Sequence, residues 1–219
     1  ANTLRLWAAQ PTTLLDLARF NRGDYTAAAE PETLARTISR VLYPDDTTFA
    51  GKELRLKQEF FLTSAALQDI LRRFLDTHKD LTKLPEKVAI QMNDTHPAIA
   101  GPELIRLLVD GHGMAFDPAR EIAQKVLGYT NHTLLPEALE RWSTYLVGTV
   151  LPRHMQIIEQ IDDWHLDEHH SRPHWVGIVK NQSSGCSGPC IIWSGWGDQR
   201  DGLQAIADPA LFGSAKILI

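Results

Sequence analysis

Cysteine is scarce. Only Cys186 and Cys190 occur among 219 residues, both late in the chain, which excludes a disulfide framework and suits a reducing cytoplasm. An excess of one charge is also missing. The formal net charge of −5 comes with no basic patch that would imply nucleic acid and no acidic tail. No apolar run approaches the roughly 20 residues that cross a bilayer. Ala1 to Trp7 has neither the charged-then-apolar form of a signal peptide nor an initiator Met. It reads as the interior of a strand, so the chain is expected to be a fragment of something longer. No Gly-rich phosphate loop, no nucleophile elbow and no internal repeat is found. What remains is 43% hydrophobic, enough for one or two domains with a sizeable core.

The most informative stretch is Lys87-Val88-Ala89-Ile90-Gln91-Met92-Asn93-Asp94-Thr95-His96-Pro97. A short apolar run stops in titratable residues. After Pro97 an apolar pattern at helical spacing begins, with Ile99, Leu104, Leu107 and Leu108. Another helix is expected from Asp117-Pro118 through Val126. A second short strand, Val126 to Thr130, ends in Asn131-His132-Thr133. Lys87 to Thr133 is therefore a β-α-β unit with one extra helix, and a parallel crossover puts both polar tips on one edge of the sheet. In open parallel sheets ligands bind at the carboxyl ends of strands.

Before this unit, Thr3 to Trp7 alternates like a strand. Helices are expected over Thr13 to Phe20, after Gly23, and again from Pro31, which suits a first helical turn. Tyr43-Pro44-Asp45-Asp46-Thr47-Thr48 is a loop. Gly51 to Phe74 is the longest periodic segment, with Leu56, Phe60, Leu67, Leu71 and Phe74 on one face. Thr77 to Glu86 is a polar connection. After His132, Pro136 to Trp142 reads as a short helix and Leu151 to Leu166 as the last. Past Leu166 the composition shifts: seven of the 14 glycines fall from Gly177 onward. Leu203 to Leu218 could hold a short helix or strand.

Several constellations admit two readings. Asp94 and His96 could grip a polar substrate, or Asp94 or Thr95 could cap the following helix. His132 is either a ligand-facing imidazole or a hydrogen-bonded structural histidine. Tyr43 to Asp46 is a gate over a cleft or an ordinary solvated loop. Arg72 and Arg73 could bind a phosphate or complement a helix C-terminus. His165, His169, His170 and His174 with Cys186 and Cys190 have zinc-ligand chemistry, but their spacing matches no common structural site, and no metal is assigned.

Lys52-Glu53-Leu54-Arg55-Leu56-Lys57-Gln58-Glu59-Phe60-Phe61, Leu67 to Phe74, Asn93 to Pro97, and Tyr129-Thr130-Asn131-His132-Thr133 through Leu135 to Trp142 resemble the α-glucan phosphorylases (glycogen, starch and maltodextrin phosphorylase). The similarity runs over about residues 2–166. It implies an α/β fold, the helix-rich part of a Rossmann-like lobe of the GT-B type with a partial parallel sheet. It implies phosphorolysis of terminal α-1,4-glucosidic bonds, with glucan and phosphate as substrates, in a homodimeric cytoplasmic enzyme. By resemblance His132 contacts the terminal glucose, its backbone carbonyl facing the developing cationic sugar. Tyr43, Asp46, Arg55, Asp94, His96 and Glu137 belong to the cleft wall, with Asp46 on the gating loop. Arg72 and Arg73 match a pair that binds an activating nucleotide in animal relatives, although no activation is assigned. The family's pyridoxal 5′-phosphate is held by a lysine in a second lobe, and none is expected on this chain. Thr47 stands where many relatives have an amide. Residues 167–219 depart from the family, as a shifted reading frame or foreign extension would. The chain alone is expected to be inactive; the alternative is a non-catalytic sugar- or partner-binding fragment.

Overall fold

A computed structural model describes residues 3–130, 132 and 140–168 and the short strands at 179–181, 190–192 and 216–218, with side chains through Trp164. Ala1–Ala65 forms one compact unit and Ala66–Ile219 another.

In the first unit, Thr3 to Trp7 forms no strand. Leu4 and Leu6 are exposed, and no second strand pairs with them among the described residues, so the alternating pattern has no ladder to join. Helix α1 (Leu17–Asn21) is capped by Asp16, whose carboxylate accepts from the Arg19 amide. Gly23, at φ +84°, provides the left-handed turn. Asp24 then caps helix α2 (Tyr25–Arg40). Two helices were expected here, divided at Pro31. The structure has one, with Pro31 inside it. Proline deletes one i→i−4 bond, but Ala27, whose carbonyl loses that bond, is only part-buried and water can replace it. Ala28 packs fully buried, and its carbonyl accepts from the Asp16 amide at 2.9 Å.

Helix α3 (Phe49–Thr77) is the long helix of the sequence pattern, about 43 Å at 1.5 Å per residue. Thr48 caps it: its hydroxyl accepts from the Gly51 amide at 3.1 Å. Leu56, Leu67, Leu71 and Phe74 on its apolar face are buried, and Phe60 is partly so.

The core of the second unit gathers Leu67, Ile70, Leu71 and Phe74 of α3 with residues of the β-α-β unit. A 3-10 turn (Leu81–Lys83) and helix α4 (Leu84–Lys87) occupy the expected polar connection, anchored by buried Leu81 and Leu84. Strand β1 (Ala89–Asn93) follows. Helix α5 (Ala100–Arg106) continues into a π-turn at Leu107–Gly111 instead of an even helix to Val109. Helix α6 (Phe116–Val126) runs directly into β2 (Leu127–Thr130). β1 and β2 pair in parallel, Ile90 with Leu127 through Asn93 with Thr130, so their carboxyl ends share one sheet edge as the crossover argument requires. β6 (Lys216–Leu218) adds to the other side of β1, giving the order β2-β1-β6.

Arg141–Ser143 is strand β3, not the end of a helix; helix pattern and strand pairing compete over so short a segment, and pairing with β5 (Cys190–Ile192) decides it. β5 also pairs with β4 (Val179–Asn181). Residues 136–139 of the expected helix lie outside the described residues. Helix α7 (Thr144–Val150) precedes α8 (Pro152–Glu168). Leu151 breaks the two apart with a non-helical backbone, and Pro152 follows as the helix start. Ile157 and Ile161 of α8 are buried in the core with Leu104, Ile105 and Leu108. Among the described residues no helix is long and apolar enough to cross a membrane.

Candidate functional site

The two strand tips meet. Beyond Asn93, Asp94 adopts φ +59°, the left-handed region that few residues other than glycine enter, Asp and Asn among them. This turn aims both its backbone and its side chain at the neighbouring tip. The Asp94 amide donates to the Thr130 carbonyl at 2.8 Å. The His132 amide donates to Asp94 Oδ1, also at 2.8 Å. The His132 ring reaches Asn93 through Nε2 and Oδ1 at 3.4 Å. Two residues before Asn93 in β1, Gln91 Nε2 donates to Thr130 Oγ1 at 2.8 Å. Thr95 is 1% exposed, and its hydroxyl donates to Glu140 at 3.1 Å. His96 lies half-buried in the turn that leads to α5.

These bonds decide the capping question. Helix α5 has no side-chain cap; the Asp94 carboxylate and Thr95 hydroxyl cross to the chain after β2 instead. The site is anionic. The Tyr129 phenol is pushed up from its ordinary pKa by burial, and the charges of Asp94 and Glu140 push the same way.

In the first unit, Tyr43, Asp46 and Arg55 come together. Arg55 lies in the second turn of α3, its side chain only 18% exposed. Its Nη1 is 3.3 Å from Asp46 Oδ2 and its Nε is 3.4 Å from Glu59 Oε1. Its guanidinium sits 5.6 Å from the centre of the Tyr43 ring, within cation–π range. Tyr43 itself has φ +56°. The loop is drawn tight at Asp45, which accepts from the Thr47 amide at 2.9 Å. That bond and the Thr47 side chain hold the Asp45 carboxyl below the usual range.

Arg72 and Arg73 are exposed on α3 and occupied by their own helix. Arg72 pairs with Asp69 and Asp76, and Arg73 with Asp69. Glu137 lies outside the described residues, as do the side chains of the histidine and cysteine zinc reading. Among the described residues no three His, Cys, Asp or Glu side chains cluster as a metal site.

Sequence reasoning missed Glu140, Gln91 and a triad centred on a buried carboxylate between α5 and α8. Glu103 of α5 is fully buried, its Oε2 2.6 Å from His154 Nε2 on α8 and 2.7 Å from Arg106 Nε. The only signal was polar residues inside apolar runs: Gln91 between Ile90 and Met92, and Glu103 beside Leu104 and Ile105.

These features define a class: a helix-rich α/β protein that presents carboxylate and imidazole groups at the shared carboxyl edge of parallel strands, the usual place for ligands in such sheets. The chain matches the family model described as Carbohydrate phosphorylase over residues 1–183, and it belongs to that family. It is 52% identical over 167 residues to the glycogen phosphorylase of Haemophilus influenzae, which covers 76% of this chain and 20% of that protein. Against the glycogen phosphorylase of Chlamydia trachomatis it is 54% identical over 161 residues, 74% of the chain and 20% of the relative. Against the liver form from Ovis aries the figures are 52% over 175 residues, 76% and 21%. The chain spans about one fifth of the length of the curated relatives it matches.

Proposed function

We propose that this chain is the glucan-handling part of an α-glucan phosphorylase, an enzyme that transfers the terminal glucosyl unit of an α-1,4-glucan to phosphate and releases glucose 1-phosphate. The observation that carries this reading is the Asp94–His132 pairing at the common edge of two parallel strands, in a chain that belongs to the carbohydrate phosphorylases. His132 is the residue next to the reacting sugar. Its carbonyl, an electron-rich dipole, stabilises the positive charge that develops as the glycosidic bond breaks. Asp94, His96 and Glu137 belong to the wall that handles the sugar, and Tyr43, Asp46 and Arg55 to the gate and the acceptor side. Carboxylates, imidazoles and guanidinium groups suit this work because a sugar offers only hydroxyls to bind. Arg72 and Arg73 pair with acidic neighbours on α3, and no activation is assigned to them.

The wider reading follows the same resemblance. The parallel strands belong to a Rossmann-like lobe of the GT-B type, residues 1–166 are its family part, which the family match carries on to residue 183, and the chain beyond is a foreign or frame-shifted extension. The parent enzyme is a cytoplasmic homodimer. Its pyridoxal 5′-phosphate would need a sheltered lysine. Lys52, Lys79, Lys83, Lys87 and Lys125 are exposed, and Lys57 is paired with Glu53 at the surface. The lysines whose side chains are described therefore do not fit that group, and no step is routed through it.

Titrating the isotope-labelled chain with maltoheptaose tests the sugar reading. Saturable shifts centred on residues 93–96 and 132, with any others confined to the loop of Tyr43 and Asp46 and to Arg55, are expected; shifts only elsewhere, or none, would remove it.

A further inference from the structure

We infer that Asp94 acts as a positioning residue for His132, holding that histidine toward the glucan rather than binding the sugar itself. The inference rests on the proposed sugar site and adds a division of labour within it. One residue makes two bonds to the opposite tip: its amide to the Thr130 carbonyl and its carboxylate to the His132 amide, both at 2.8 Å. The two bonds are compatible only because Asp94 is in the left-handed region at φ +59°. An extended residue there would carry the side chain to one face of the sheet, away from its own amide's partner. Thr130 is the last residue of β2, so these bonds grip the chain at the point where the ladder stops. His132 is exposed, and burial does not hold it. Among the described residues, the contact besides Asp94 that orients it is the long one from its ring to Asn93 at 3.4 Å, and a hydrogen bond of that length is weak. The charge-assisted amide bond is the stronger of the two. Removing it frees His132 to sample orientations that do not meet a sugar.

The test uses the full chain with Asp94→Ala, Asp94→Asn and Asp94→Gly. Before any sugar is added, the His132 amide proton resonance should follow protonation of the Asp94 carboxylate in an acid titration. That response should vanish in Asp94→Asn, which keeps a neutral acceptor and a residue tolerant of the left-handed turn. An amide indifferent to Asp94 overturns the inference whether or not sugar binds. With maltoheptaose, Asp94→Ala and Asp94→Gly should each weaken binding by about tenfold, the loss of one charge-assisted bond's ordering, and Asp94→Asn should recover most of it. Glycine relieves the backbone, so equal losses in both assign the effect to the carboxylate. In a His132→Ala background the cost of Asp94→Ala should shrink to about threefold or less. His132→Ala keeps the amide that Asp94 holds, so an undiminished tenfold cost in that background means that Asp94 acts on the sugar directly or through the backbone alone, and sinks its role in holding the imidazole. If the unaltered chain binds no maltoheptaose, the sugar site fails as a reading, while the amide titration still decides the positioning role.

Discussion

Gly51 sits where a side chain has no room. A Cβ built there would lie 1.8 Å from the backbone oxygen of Asp45. Alanine is otherwise the best helix former, yet Gly51→Ala must displace the loop of Tyr43 and Asp46. A loss of about 1–3 kcal/mol in chemical denaturation is expected, as for other overpacked positions. Loosening of the Arg55–Tyr43 stacking should accompany it, seen as a change in Tyr43 ring shifts. A gain in stability would contradict the close approach. The buried Glu103 gives a second case. Its carboxylate is shared by His154 and Arg106. His154→Leu removes one of its partners in a site it cannot rehydrate, and a cost of about 3 kcal/mol is expected by denaturation. Neither effect was legible in the sequence. Gly51 reads there as a weak helix residue, and Glu103 as one more polar position on a helical wheel. Space and burial are properties of neighbours brought from elsewhere in the chain.

Between elements, α8 is tied to the π-turn after α5 by Arg153, whose Nε and Nη2 donate to the two oxygens of Asp110 at 2.9 and 2.8 Å. The hydrogen bonds from Arg153 hold the Asp110 carboxyl below its usual 3.8. A carboxyl depressed in the folded state stabilises above its unfolded pKa, and that stability is lost as pH falls through the folded value. The contribution is therefore full at neutral pH and disappears in acid below about 3.8. The pair is about one third exposed, so solvent screening limits it to roughly 0.5–1 kcal/mol. Asp110→Asn should lower stability by that amount at pH 7 and leave it unchanged in strong acid, measured by denaturation across the pH range; an equal loss at both ends would mean a packing effect. On the same helix Ile157 is fully buried, and Ile157→Ala should cost about 2–4 kcal/mol. The sequence marked α3, α6, β1 and β2 well because periodicity and flanking breakers are local signals. Pro31 and Arg141–Ser143 were misread because a half-exposed helix tolerates a missing bond and a three-residue strand depends on its partner.

At the scale of the chain, the lysines whose side chains are described offer no sheltered amine for the family cofactor. Purified chain with maltodextrin and phosphate is expected to release no glucose 1-phosphate in a coupled assay, and detectable release would overturn the reading of a glucan-handling part. The first unit also leaves large apolar residues uncovered: Leu4 and Leu6 are 85% and 87% exposed, with Leu14, Leu17, Leu34 and Val41 above 60%. Surface of that kind promotes association.

The sequence by itself determined the family, the long helix and the two strands with polar tips. Each of these is written in contiguous residues, as a motif or a period, and survives without knowledge of what lies across from it. Only the tertiary structure decided what the polar side chains do. Asp94 reaches an amide 38 positions away, Thr95 a carboxylate 45 away and Glu103 a histidine 51 away. Hydrogen bonds are short and directional, so their partners are chosen by how the folded segments approach, and no spacing in the chain encodes that.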